Sequence, residues 1–216
     1  MSKSRRQPKT LLGRMLQHLW LAVPLGVVGL VIVLALTQGR GMRQSQEEPT
    51  GLVDEFVVDS LGATLPPQPA GVALPGTAIP DLGQEHIPEG QQVDYNSNPP
   101  TSGPHYEEWA RWGIYNQAPQ DEQLVHNLEH GGIIISYHPD LIEAEDLEQI
   151  REQAQELSAI NPRIIVTPRT EMPRAIALTA WGYLQELEAY DAAAIDEFYN
   201  AHIARGPECQ NGQCPN

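Results

Sequence analysis

His126 and His130 lie four residues apart, so a single helical turn brings both imidazoles to one side; Glu129, three after His126, can share it. Imidazole nitrogens are ligands for zinc, copper, nickel and iron. His105, on a separate Pro/Gly-rich stretch, would make this a three-nitrogen site, with His86 or Met172 as a further ligand. A thioether from Met172 would favour copper over zinc, and Glu129 could instead orient a ligand imidazole as an acceptor. The candidate metal set is therefore His105, His126, His130, Glu129, His86 and Met172, with copper or zinc as the cofactor.

Other chemistries compete for the same residues. The pattern H-x-x-E-H is that of inverted zinc peptidases, but those mount it on a long helix, whereas Gly131-Gly132 stops this one. Ser97 or Ser102 could approach His126 or His130 as a nucleophile, yet no G-x-S-x-G elbow is present. The histidines could also simply be hydrogen-bonded struts, since buried polar groups need partners. No residue is assigned a catalytic role, and the balance leans away from an enzyme.

These residues need positioning elements. In YNSNPPTSGPHY, Pro99, Pro100 and Pro104 fix three φ angles and Gly103 permits a left-handed turn, so the loop presents His105 at low entropic cost. Trp109 and Trp112 follow, as a lid over the core or as an apolar patch for a partner. A short helix is expected over 120–130, with Asp121 and Glu122 in its first turn. IIISY (133–137) and RIIVTP (163–168) read as strands, with a helix over 139–159 between them. AIALTAWGYL gives a third strand, with Trp181 in the core. A last helix runs over 191–204, with Asp191 as N-cap and His202 as a packing histidine. The fold class is α+β: a small, mostly antiparallel sheet with flanking helices.

Upstream, Leu19 to Leu36 is an uncharged apolar run of 18 residues, long enough for a transmembrane helix. Five basic residues precede it and only Arg40 and Arg43 follow closely, which puts the N-terminus in the cytoplasm and the remainder outside. The expected organisation is a basic tail (1–18), a span (19–36), a Pro/Gly-rich disordered linker (37–80), a His-rich exported domain (81–206) and a tail with a cysteine pair (207–216). The exported part holds all 28 acidic residues against 8 basic ones, a formal charge of −20, which argues against nucleic acid as a partner. The expected partners are the membrane, through the span, and an envelope protein. Cys209 and Cys214 are the only cysteines, and outside the cytoplasm such a close pair most often forms a local disulfide.

YNSNPPTSGPHY, LVHNLEHGG and LTAWG together resemble the bacterial domain-of-unknown-function family 3105, over roughly Leu82 to Ala204. The resemblance implies an exported domain behind an N-terminal anchor, with Asn96, Pro100, Gly103, His105, His126, Glu129, His130 and Trp181 at motif positions. It brings no catalytic role, and it leaves the C-x4-C tail as a local addition. The broad role expected is metal storage, delivery or sensing at the cell envelope.

Overall fold

The apolar runs Ile133–Tyr137 (β6) and Ile164–Pro168 (β7) are buried almost throughout, as strands covered on both faces must be. In the computed structural model, residues 51–56, 73–210 and 212–215 are described, all within the second of two units, Glu47–Asn216. Seven strands form one sheet in the order β1-β5-β7-β6-β8-β9-β2, with β1 at Leu52–Glu55, β2 at Thr77–Ala78 and β5 at Gly113–Tyr115. β8 (Ile176–Ala180) and β9 (Tyr183–Leu187) complete it.

The sheet is larger than expected and mixed: four of its six pairings are antiparallel, but β7 runs parallel to both of its neighbours, β5 and β6. Parallel neighbours require long crossovers. Here these carry α1 (Asp121–Glu129), between β5 and β6, and α2 (Ala144–Ser158), between β6 and β7. α3 (Ala192–His202) packs against β8, and Asp191 caps it by accepting from the Ala194 amide.

Three other expectations change. AIALTAWGYL is not one strand but a hairpin: Ala180 pairs with Tyr183 across Trp181-Gly182, and Gly182 sits at φ +72°. α2 begins later than expected, because 138–142 is spent in a turn closed by Ile142 N–H on the His138 carbonyl. Two pieces of the expected 37–80 linker are the sheet's outermost strands, β1 paired with β5 and β2 with β9. An edge strand needs backbone partners on one side only, so composition gives little sign of it.

Among the described residues no helix is long and apolar enough to cross a membrane. The basic tail (1–18) and the span (19–36) expected from the sequence lie outside them.

Candidate functional site

A second, two-stranded parallel sheet builds the site. β3 (His86–Ile87) pairs with β4 (His105–Tyr106) in a register that sets His86 opposite His105. Residues directly opposed in register project to the same face, so the seventeen residues of loop between the strands, 88–104, fold away and two histidines meet. Their rings are 4.8 Å apart.

The intervening loop is held by polar contacts on each side. Tyr95 Oη donates to the Pro104 carbonyl (2.8 Å), and the Leu82 amide donates to Ser102 Oγ (3.1 Å). Arg169 bonds Asn98 Oδ1 through Nε (2.6 Å) and clamps both oxygens of Asp121 at 2.6 and 2.9 Å, tying the loop to the start of α1. Ser97 Oγ donates to the Pro99 carbonyl. Neither serine has a histidine as its partner in these bonds, and the nucleophile reading loses its support.

Helix α1 brings His126, Glu129 and His130 up against β4, and all three are buried. Asn127, fully buried on the same helix, exchanges two hydrogen bonds with Ala110: Ala110 N–H to Oδ1 (3.0 Å) and Nδ2 to the Ala110 carbonyl (2.8 Å). This pins the segment carrying Trp109, whose ring lies against those of His126 and His130. Replacing Asn127 with Ala strands both backbone groups of buried Ala110, and is expected to cost about 2–4 kcal/mol in urea unfolding. An unchanged urea midpoint would show that water substitutes for the amide.

The tautomers follow from the carbonyls around them. A carbonyl only accepts, so Nδ1–H of His105 donates to Gly103 (2.8 Å), that of His126 to Tyr106 (2.6 Å) and that of His130 to Pro215 (3.2 Å). In a neutral ring each Nε2 then carries a bare lone pair. His105 Nε2 faces Glu129 Oε2 at 2.9 Å, and His126 Nε2 faces His130 Nε2, also at 2.9 Å. His86 Nε2 lies 3.8 Å from the same Glu129 oxygen. Acceptors this close need a positive bridge between them, either a proton or a metal ion.

One donor atom from each of His86, His105, His126 and Glu129 lies within 4.8 Å of the others. His86, expected only as an optional ligand, is therefore in the group, while His130 stands at its outer edge beside His126. Met172 is buried in the turn between β7 and β8, and its neighbour Glu171 offers a carbonyl to Asn98. Trp112 is buried and packs on Gly132, so the two tryptophans do not form an exposed patch; only Trp109 is partly exposed. The remaining histidines among the described residues have local duties. His138 Nδ1 accepts from the Asp140 amide, and His202, buried as expected, donates to the Pro75 carbonyl.

Burial lowers His126 to about 4 from the usual value near 6.5, against the pull of its Tyr106 carbonyl bond and with the neighbouring histidines adding to the fall. His202 is lowered as well, again chiefly by burial. The unfolded chain therefore takes up protons on these rings near pH 6.5, whereas folded His126 does so only near pH 4. Between those limits the unfolded state binds more protons, so stability is full above the upper one and falls with pH below it. Thermal melts of metal-free protein should drop between about pH 7 and pH 4.5. A midpoint that held constant or rose on acidification would contradict the burial of neutral imidazoles.

Sequence reasoning missed Asn127, because one asparagine on a short helix carries no pattern. It also missed the tail. Cys209 and Cys214 form the expected disulfide, and the segment leading into it rests on the C-terminal end of α1: Ala204 N–H donates to the Gly131 carbonyl (2.8 Å), and Glu208 N–H lies 3.3 Å from the Glu129 carbonyl. Glu208 Oε2 then reaches His130 Nε2 at 3.1 Å.

No curated protein and no solved structure matches the chain. A family described as a protein of unknown function, DUF3105, matches residues 86–215, more than half of the 216 residues, and takes in the cysteine-bearing tail that had looked like a local addition. From β3 to the disulfide loop, the elements that build the histidine cluster are those of the DUF3105 family, to which this chain belongs.

Proposed function

We propose that the protein is an exported metal-binding domain in which His86, His105, His126 and Glu129 hold a divalent transition metal, zinc or copper(II). The observation that carries this reading is the set of Nε2 lone pairs fixed inward by backbone carbonyls, with a buried carboxylate among them. A proton serves one such contact, whereas a cation serves all four donors at once. Three imidazoles and a carboxylate are borderline-to-hard donors, which favours zinc or copper(II) over the copper(I) that a Met172 thioether would select.

A tetrahedral ion with bonds of about 2.0–2.1 Å places its donors roughly 3.3–3.4 Å apart, so on binding the wider spacings must close and the 2.9 Å contact of His105 with Glu129 must open slightly. His86 is the ligand able to move, because its side chain is 46% exposed while those of His105 and Glu129 are 0% and 3%. A cleft of about 660 Å³ bordered by Ile87, Tyr106 and Trp109 lies alongside β3 and β4. An accessible ligand beside three buried ones suits a centre that exchanges its metal, as storage or delivery at the cell envelope requires. The disulfide fits an oxidising compartment, and the apolar stretch at Leu19–Leu36 would tether the domain there.

The test is elemental analysis of the full chain, purified in mild detergent and reconstituted with zinc or copper. Stoichiometric metal that survives dialysis, and that is lost in His86→Ala without a change in fold, is the expected result. If the reconstituted protein retains no metal, the histidines are structural.

A further inference from the structure

The four-donor group leaves one close acceptor pair unexplained. His130 Nε2 lies 2.9 Å from His126 Nε2 and 3.1 Å from Glu208 Oε2, while its Nδ1 is committed to the Pro215 carbonyl. The whole tail serves to hold this arrangement. Its backbone is bonded to Gly131 and Glu129 at one end, the Cys209–Cys214 disulfide closes it, and Arg163 Nη2 binds the Cys214 and Pro215 carbonyls at 3.3 Å. A tail anchored at three points, delivering one carboxylate and one carbonyl to a single buried imidazole, is more than a chain end requires.

Resting on the metal-binding reading above, we propose that the cluster is a dinuclear centre: a second divalent ion is held by His126, His130 and Glu208, beside a first held by His86, His105 and Glu129. Each ion then has two imidazoles and one carboxylate. His126 has a single free lone pair, so it completes the first site when one ion is bound and passes to the second when two are. The exchange is short, because its ring centroid lies 4.9 Å from that of His105 and 4.7 Å from that of His130. Paired ions in such centres sit about 3.5–4 Å apart, and three protein ligands apiece leave open positions between them where hydroxide or an oxyanion can bridge.

Cobalt(II) titration of the full-length chain, followed by visible absorption and by elemental analysis after desalting, tests this. Saturation at about two equivalents is expected, falling to about one in Glu208→Gln, whose altered side chain is solvent-accessible and leaves the fold intact. His130→Ala should match it, and circular dichroism verifies that both variants are folded. Saturation of the wild type at one equivalent, with Glu208→Gln unchanged, would overturn the second site and leave the first standing. Saturation at none would overturn both.

Discussion

Glu129→Gln is expected to weaken metal binding and to make the metal-free protein less stable as well. The Glu129 side chain is 3% exposed, and its Oε2 lies 2.9 Å from a His105 nitrogen whose lone pair points at it. Without a metal a proton must bridge the two acceptors, and a neutral amide replaces that buried charge-assisted contact with a weaker neutral one. The loss should be about 1–2 kcal/mol, or roughly 2–6 °C in melting temperature for a domain of this size. Metal affinity should fall at least 10- to 100-fold with the loss of the anionic ligand. Scanning fluorimetry of chelator-treated protein and a competition titration read the two effects separately. A variant that melted at or above wild type would mean that no proton bridges His105 and Glu129 when the metal is absent.

Gly131→Ala should have the largest effect on folding. Gly131 ends α1 at φ +72°, a conformation that costs an L-residue about 1–2 kcal/mol. Space is a second obstacle. A Cβ there would stand 2.6 Å from Ala204 Cα, 2.7 Å from Cys209 Sγ and 2.9 Å from the Arg205 nitrogen, none of them the movable end of a side chain. The combined loss is expected at about 3 kcal/mol or more, read as a lower urea midpoint. Because relief comes most easily by lifting the tail off the helix, Cys209 and Cys214 should also become easier to reduce. A midpoint within about 1 kcal/mol of wild type would mean that the tail is held more loosely than its hydrogen bonds imply.

What could be read from the sequence was whatever local chemistry determines. The i, i+3, i+4 spacing of His126, Glu129 and His130 set them on one helix face, Gly131-Gly132 marked where that helix ends, and Asp191 announced α3. Isoleucine runs gave β6 and β7, and the spacing of the cysteines gave the disulfide. What could not be read depends on backbone pairing between segments distant in sequence. His86 joins the cluster only because β3 and β4 pair in parallel, in a two-residue register that no side-chain pattern encodes. β1 and β2 are edge strands in stretches whose composition reads as linker, and Glu208 reaches His130 only once the tail folds back over α1. The mixed sheet follows from the same limit, since two apolar runs with a helix between them do not reveal which neighbours they will have.

The most direct test of the metal centre is X-ray absorption at the metal edge of protein loaded with zinc or copper(II). A first shell of nitrogen and oxygen at about 2.0–2.1 Å, with outer-shell scattering from several imidazoles, is the result expected from His86, His105, His126 and Glu129. A sulfur shell at about 2.3 Å would contradict it and place the ion on sulfur instead, at Met172 or at the tail cysteines after reduction of their disulfide.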